Sequence, residues 1–176
     1  GNSMVPMLVG AQGDGKSTFC RMILPEELLV YYTDRVDFAK RNDAVKALTR
    51  FLLVNIDEYD SISKRQTAFL KYMLSTADVK YRNLYESIVQ QHQRYAAFVA
   101  TTNNPQPLTD STGSRRYMCV QVNERIDTSA TVDYPQLYAQ AVAEIRAGMK
   151  TYFDNEDEQA IQISNGLFQQ YDCIDE

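Results

Sequence analysis

Residues 10–17 of the chain read GAQGDGKS, a spacing of glycine, lysine and serine that suits the binding of a polyphosphate. The run fits the pattern G-x-x-x-x-G-K-[ST], in which glycines let the backbone turn its N–H groups inward around phosphate oxygens. Lys16 supplies positive charge to the terminal phosphates, and the Ser17 hydroxyl is the kind of group that coordinates Mg²⁺ there. We therefore predict that ATP and Mg²⁺ bind at Gly10, Gly13, Asp14, Gly15, Lys16, Ser17 and Thr18.

A second candidate set ends the apolar stretch FLLVNIDEYD at residues 51–60. A strand here delivers Asp57 and Glu58 to its carboxyl end, where an aspartate holds Mg²⁺ and a glutamate deprotonates the attacking water. The plainer interpretation is that acidic residues end many strands at turns. The glycine-rich loop upstream favours the hydrolytic pair, with Asp57 as metal ligand and Glu58 as general base.

Polar residues also end the apolar stretch AFVATTNN at residues 97–104. If this strand neighbours the one that carries the acidic pair, Thr102 or Asn103 lies beside that pair and positions water or contacts the terminal phosphate. The alternative is a capping or Asx-turn role ahead of Pro105. The residues alone leave these two roles open.

Two adjacent arginines, Arg115 and Arg116, follow a later loop. Paired arginines after a loop are most often solvated charges. In oligomeric NTPases, however, an arginine supplied by a neighbouring subunit stabilises the charge of the transition state. Both residues are candidates for that role.

The spacing of apolar residues predicts the elements that position these groups, because runs of strand length alternate with stretches of helical period. The predicted strands cover residues 5–9, 28–32, 51–56, 96–101 and 117–122. The predicted helices cover residues 16–24, ended by Pro25; a stretch to about residue 50, capped by Asn42 or Asp43; residues 63–74; a segment with Leu137, Ala141, Val142, Ile145 and Met149 on one apolar face; and a last segment after the acidic residues 154–158.

Alternating strands and helices predict an α/β fold of the P-loop NTPase type, with a mostly parallel central sheet flanked by helices. The nearly continuous apolar character of residues 51–56 fits such a sheet, whose strands are buried on both faces. The loop at residues 10–17 joins the first strand to a helix, which is where these folds bind ligands. We expect residues 1–176 to form a single domain of a longer protein.

The composition, with 44% hydrophobic and 23% charged residues, is that of a globular protein. The net charge of -5 excludes a surface that is basic all over, yet leaves room for a basic channel in a ring. Cys20, Cys119 and Cys173 are widely spaced and histidine occurs once, so no zinc site or disulfide framework is predicted. Without a leader or an apolar run near 20 residues, we expect a cytoplasmic location and no membrane contact.

Five segments together resemble the virulence-associated protein E family. Its members are P-loop ATPases of phage and mobile-element replication proteins, and are similar to superfamily 3 helicases in the AAA+ class. In order, the segments resemble the family's phosphate loop, Walker B strand, lysine-bearing helix, sensor strand and Thr-Gly-x-Arg-Arg segment: MVPMLVGAQGDGKSTF, NDAVKALTRFLLVNIDEYD, FLKYMLSTADVKYRNLY, FVATTNN and TDSTGSRRYMCVQV. One position departs from the family, which often has proline where this chain has Leu84.

The resemblance implies an AAA+-like domain that assembles into a hexameric ring. It implies that Asn103 is the sensor and that Arg115 or Arg116 is the arginine finger, without choosing between the two. It also implies that residues 80–94 form a hairpin that grips single-stranded DNA in the channel of the ring.

The hairpin segment has the composition for that task, since cations suit phosphates and aromatic rings suit base stacking. The DNA-binding candidates are Lys80, Arg82 and Arg94, interleaved with Tyr81, Tyr85 and Tyr95. The plainer interpretation is a solvated connector with packed tyrosines, in which His92 is a polar surface residue.

Three functions follow from these residues. The first is an ATP-driven motor on DNA, of the helicase type; the second is a non-motor P-loop ATPase that acts as a nucleotide-dependent switch or remodels proteins. The third is a small-molecule kinase, which the Asp57–Glu58 pair disfavours because that pair selects water as the acceptor.

Overall fold

The computed structural model describes residues 3–82 (apart from the Lys64 side chain), 88–109 and 114–170. Within these ranges the strands are β1 (Val5–Val9), β2 (Tyr32–Thr33), β3 (Leu53–Ile56), β4 (Asp78–Tyr81), β5 (Gln90–Gln93), β6 (Ala97–Thr102) and β7 (Tyr117–Gln121). The α-helices are α1 (Lys16–Arg21), α2 (Arg41–Arg50), α3 (Lys64–Ser75), α4 (Tyr134–Arg146) and α5 (Asn155–Asn165). Short 3₁₀ helices cover Glu26–Tyr31, Tyr59–Ser61, Ser114–Arg116 and Gly166–Phe168.

Five strands form one parallel sheet in the order β2-β3-β6-β1-β7. The predicted α/β fold with a mostly parallel central sheet is therefore confirmed. Strand β6 lies between β1 and β3, and pairs with both. Because all the strands run the same way, the loops after β3, β6, β1 and β7 emerge side by side at one edge of the sheet.

Helices cover both faces of this sheet. On one face, the inward residues of β1 and β3 pack with buried side chains of α2 and α3, such as Leu48, Leu70 and Met73. On the other face, Cys20 of α1 packs against Val99 and a smaller apolar cluster. The sheet is thus a rigid layer that fixes where its strand ends lie.

Strands β4 and β5 form a separate antiparallel hairpin, in which Lys80 faces Gln91 and Val79 faces His92. This hairpin lies in the segment for which the family resemblance implied one. Leu84 and Tyr85 fall outside the described residues.

The structure corrects five predicted boundaries. Strand β3 begins at Leu53 and not at Phe51, which is the C-cap of α2. Residues 26–31 form a 3₁₀ helix, and only Tyr32–Thr33 pair as a strand, because a short apolar run has no period that separates strand from helical turn. Helix α1 ends at Arg21, where Met22 still donates to the Thr18 carbonyl; Ile23 and Leu24 then make i→i−3 bonds before Pro25.

The other two boundaries concern helix starts. Helix α2 begins at Arg41 with Lys40 at its N-cap, two or three residues before the predicted cap, so Asn42 and Asp43 lie in its first turn. The acidic residues 154–158 belong to α5 itself, because Asp154 caps that helix through the backbone N–H groups of Glu156 and Asp157.

Helix α4 is present, but its apolar face is open. Leu137, Val142 and Ile145 are each about half exposed in this chain, and Met149 lies beyond the helix end. Within the described residues, Tyr134 and Tyr138 anchor the helix by donating to the carbonyls of Met22 and Ile23. Exposed apolar faces of this kind mark contact surfaces. None of the described helices is both long and apolar enough to span a membrane.

Candidate phosphate-binding site

The loop at residues 10–17 leaves β1 at the carboxyl edge of the sheet and enters α1. Gly13 and Gly15 have φ angles of 89° and 82°, a left-handed conformation that favours glycine. A Cβ atom on Gly10 would lie 2.9 Å from both Asp14 Oδ2 and Val122 Cβ, so no larger residue fits there without displacement. The loop therefore depends on its glycines for conformation and for close packing.

Lys16 is almost fully buried, with its ammonium group held by three oxygens. Nζ donates to the carbonyls of Gly10 at 2.9 Å and Ala11 at 2.6 Å, and to Asn103 Oδ1 at 3.0 Å. The bond to Asn103 joins the loop after β1 to the loop after β6. A buried cation surrounded by oxygens is a suitable anchor for an anionic ligand, which can replace these acceptors.

Ser17 and Asp57 meet at the base of the loop. Ser17 Oγ donates to Asp57 Oδ1 at 2.6 Å, and Thr101 Oγ1 donates to the same carboxylate oxygen at 2.5 Å. The predicted pair of metal ligands is thus in contact, although 40 residues separate them in the chain. One carboxylate and one hydroxyl form a set that Mg²⁺ accepts together with phosphate oxygens and water.

Glu58 follows in an unusual backbone conformation, with φ 50° and ψ 58°. It is the one described residue other than glycine with positive φ. Such strain is concentrated at functional sites. Its backbone N–H donates to Thr101 Oγ1 at 3.4 Å, so Thr101 contacts both members of the acidic pair.

The end of β6 carries three polar side chains with different partners. Thr101 bonds Asp57, Thr102 bonds Asp60, and Asn103 bonds Lys16. The predicted neighbour relation between this strand and the acidic strand is therefore observed. The Thr102 hydroxyl also accepts from the backbone of Asn104, so Thr102 has the turn-capping role and Asn103 faces the phosphate-type loop.

These groups line one cavity of about 330 Å³. All the predicted loop residues from Gly13 to Thr18 line it, together with Asp57, Glu58 and Asn103. Gly10 lies beneath the loop instead, where its carbonyl holds Lys16.

Sequence reasoning missed three residues of this cavity: Thr101, Arg125 and Thr128. Thr101 precedes Thr102 and Asn103, and its signal was its position as the last residue of the predicted strand at residues 96–101. Arg125 and Thr128 belong to a polar stretch without a recognisable pattern, so only the fold reveals them.

Arg115 and Arg116 lie at the opposite edge of the sheet. They precede β7, whose first residue Tyr117 pairs with Val5 at the start of β1. The five residues of β1 separate the two edges by roughly 16 Å at about 3.3 Å per residue. The two arginines line a separate cavity with Ser3, Ser75 and Glu158. They do not line the phosphate-type cavity of their own chain.

Asn165 holds this arginine-bearing turn in place, a role that the sequence did not indicate. Its buried amide donates to the carbonyls of Ser114 and Tyr117, and its Oδ1 accepts from the backbone of Cys119. The turn is thus tied to α5.

The hairpin candidates for DNA contact separate into two groups. Lys80 and Arg82 are exposed on the hairpin, as DNA contact requires, and Tyr95 is 61% exposed. Arg94 is only 8% exposed, and burial lowers the pKa of its guanidinium. Its donors reach backbone carbonyls of Met73, Leu74, Thr76 and Ala96.

The assignment of Arg94 to DNA contact is therefore corrected. Its guanidinium sits inside the protein, where it satisfies carbonyls at the end of α3, and the side chain is structural. His92 is not a plain surface residue either, because its ring stacks on Tyr81 at a centroid distance of 4.3 Å.

Comparison with known proteins agrees with this fold. Two solved apo structures of the NrS-1 C-terminal region (305–718) superpose with a TM-score of 0.51 each, at 14% and 16% sequence identity. They cover 94% and 93% of this chain, which spans 34% and 43% of theirs. No curated protein sequence matches the chain.

The family comparison extends over nearly the whole sequence. The family model of the virulence-associated protein E-like domain matches residues 2–170. This range includes the loop at residues 10–17, the acidic pair and the strand end at Asn103. The chain belongs to the family of virulence-associated protein E-like domains.

Proposed function

We propose that this chain is the ATP-binding and hydrolysing domain of a phage or mobile-element replication protein, and that it works as a helicase-type motor on DNA in an oligomeric ring. One observation carries the proposal. Ser17 bonds Asp57 while Lys16 bonds Asn103, so the ends of three strands meet on the loop at residues 10–17. Family membership supports the place in replication.

The residues of the cavity fit a nucleotide with Mg²⁺. Lys16 is a buried cation whose present partners are weak neutral acceptors, and phosphate oxygens are stronger ones. Ser17 and Asp57 would hold the metal, and the loop N–H groups would surround the phosphates. The bound nucleotide supplies the phosphoryl group whose transfer to water is the reaction.

The chain's own groups have distinct tasks in that reaction. Glu58 takes the proton of the attacking water, and Asn103 orients that water or the phosphate beside it. Thr101 bonds the Asp57 carboxylate and the Glu58 backbone at the same time. It therefore holds the metal ligand and the base in a fixed position relative to each other. These are the positions that preorganised catalysis needs.

Turnover of ATP by the purified chain tests the enzymatic part. Lys16→Ala should abolish hydrolysis, whereas Lys40→Ala, an exposed lysine at the start of α2, should leave it within twofold. Hydrolysis by Lys16→Ala at the wild-type rate would refute the assignment of the loop. Since isolated subunits of rings are often inactive, the assay should include a longer protein that contains this domain.

The burial of Arg94 favours a second candidate, a nucleotide-dependent switch or protein remodeller. With Arg94 committed to the interior, the described hairpin offers DNA only Lys80 and Arg82 as cations. An ATP-dependent strand-displacement assay separates the two functions. A motor loses unwinding in the double variant Lys80→Ala/Arg82→Ala while its basal ATPase stays intact; a switch shows neither unwinding nor DNA binding in the wild type.

A further inference from the structure

The segment after β7 passes directly over the phosphate-type loop, and we call residues 122–128 the strap. Its first residue, Val122, donates from its backbone to the Val9 carbonyl at 2.7 Å. Four residues later, Ile126 donates to the Asp14 carbonyl at 2.9 Å. The strap is thus bonded to the end of β1 and to the loop itself.

Glycines make this close approach possible. A Cβ atom on Gly15 would lie 3.3 Å from the Ile126 carbonyl oxygen and 3.3 Å from Thr128 Cγ2. Gly10 meets Val122 in the same way. The contact between strap and loop is therefore part of the site, and Arg125 and Thr128 of the strap line the cavity.

Arg125 lies in the middle of the strap and lines the cavity with Lys16 and Ser17. Its side chain is exposed, and within the described residues it forms no hydrogen bond or ion pair. Lys16 and Arg125 are the cations that line this cavity, and Lys16 is already held by the loop. An unpaired guanidinium facing an anion-binding loop is well suited to phosphate, because its fork pairs with two oxygens at once.

The order of the strands indicates which phosphate Arg125 meets. At the carboxyl edge, Glu58 follows β3, Asn103 follows β6, the loop follows β1 and Arg125 follows β7. The three strand spacings between β3 and β7 amount to roughly 14 Å at about 4.8 Å each. The end near Glu58 is where water attacks, so the terminal phosphate lies there and the nucleoside lies towards β7.

We propose that Arg125 binds the nucleoside-proximal phosphate of the nucleotide, as a second cation supplied by the same chain. The inference rests on the proposed function, because it assumes that the cavity binds a nucleotide. It makes Arg125 a binding residue shared by di- and triphosphates. Arg125 contributes to nucleotide affinity and does not change the rate of the chemical step.

Calorimetric titration with Mg-ADP and with a non-hydrolysable Mg-ATP analogue tests this assignment. Arg125→Ala should weaken both ligands by the same factor, about 10-fold or more, which is the scale of hydrogen bonds to a charged group. Arg125→Lys should fall between wild type and Arg125→Ala, because it keeps the charge and loses the fork. In turnover assays KM should rise by that factor while kcat stays within twofold.

Arg146→Ala, at the exposed end of α4, is the matched control and should bind both ligands as the wild type does. Unchanged affinity for Mg-ADP in Arg125→Ala would overturn the proposal, as would a loss confined to the triphosphate analogue. Suppose that the wild type binds both nucleotides and Lys16→Ala binds neither. Wild-type affinity in Arg125→Ala then refutes only the role of Arg125 and leaves the proposed function intact. If the wild type binds neither ligand, the proposed function fails with it.

Discussion

Asp57 is the residue on which the candidate site converges. One of its carboxylate oxygens accepts from both Ser17 and Thr101, so the loop after β1 and the end of β6 are linked through a single atom. Neighbouring groups that orient a metal ligand commonly change metal affinity or activity 10- to 100-fold when removed. Thr101 has this position relative to Asp57, the proposed metal ligand.

Thr101→Val tests that dependence at the scale of one hydroxyl. It keeps the volume of the buried side chain and deletes the donor to Asp57. We expect turnover to slow by about 10-fold or more, while Thr101→Ser, which keeps the hydroxyl, stays close to wild type. Steady-state ATPase rates check this, and equal rates in Thr101→Val and wild type would contradict it.

Glu58→Gln separates binding from hydrolysis. The amide keeps the size and the left-handed backbone position but cannot accept the proton of water. ATP binding should persist while hydrolysis slows by at least about 10²-fold, the usual scale for a lost general base. Glu26→Gln, an exposed glutamate away from the cavity, is the control; a Glu58→Gln rate within twofold of wild type would remove Glu58 from this role.

The reactivity of the Cys20 thiol tests whether the layer beneath Asp57 is buried. Burial, and then the charge of Asp57, raises the pKa of this thiol to about 12, and burial raises that of Cys119 to about 12. A raised pKa disfavours the reactive thiolate, so only about one thiol in 10⁴ is ionised at pH 8. In a Cys173→Ser background, both thiols should resist a disulfide reagent at pH 8 until the chain is unfolded. Rapid labelling of the folded chain would contradict this.

Much of this residue-level site is predictable from sequence. Gly15, Lys16 and Ser17 sit in a spaced pattern, and polar residues that end apolar strands at Asp57 and Asn103 must share an edge in a parallel sheet. Arg125 and Asn165 were beyond prediction, because their roles come from which backbone segment passes over which, and local spacing carries no such information.

At the scale of elements, Arg94 links the hairpin to the rest of the domain. It connects β5 to β6, and its guanidinium holds carbonyls at the end of α3 while lying 5.3 Å from the Phe98 ring centroid. Sequence composition grouped Arg94 with the DNA-facing cations because a charge is usually exposed. Its hydrogen bonds to carbonyls at the end of α3 hold the side chain inside the protein instead.

Arg94→Met should destabilise the domain through those carbonyls. The substitution retains an apolar stem but leaves buried acceptors without donors, at a cost of about 1–3 kcal/mol for such a group. Lys80→Ala, on the exposed face of the same hairpin, should change stability by less than about 0.5 kcal/mol. Urea unfolding of both variants measures the difference in their free energies of unfolding. Equal stabilities would contradict the structural role of the buried Arg94 side chain.

Two elements show why some boundaries could not be predicted. Residues 28–32 are apolar but too few to show a period, and the structure resolves them into a 3₁₀ helix and a two-residue strand. Helix α4 has the correct period, yet period shows only that one face is apolar. It does not show whether this chain or another surface covers that face.

At the scale of the whole molecule, Arg115 and Arg116 stand at the edge of the sheet opposite the cavity. A single chain therefore does not bring them to its own phosphate-type loop. If either acts in hydrolysis, it acts on a neighbour, as the proposed ring requires.

Mixing two inactive variants tests that arrangement. Glu58→Gln lacks the base and Arg116→Ala, or Arg115→Ala, lacks the finger, so each assembly alone should be inactive. In an equal mixture, about a quarter of the interfaces pair an intact base with an intact finger, and activity should recover accordingly. An arginine that acts within its own chain gives no recovery, and that result would contradict a role in trans.

The central claim is that the loop at residues 10–17 binds a nucleotide polyphosphate through Lys16, with metal held by Ser17 and Asp57. Calorimetric titration of wild type, Lys16→Ala and Asp57→Asn with ADP, with and without Mg²⁺, tests it most directly. The wild type should bind in the presence of Mg²⁺, Lys16→Ala should lose at least about 100-fold in affinity, and Asp57→Asn should lose the dependence on Mg²⁺. Equal binding by all three proteins, with no effect of the metal, would contradict the account.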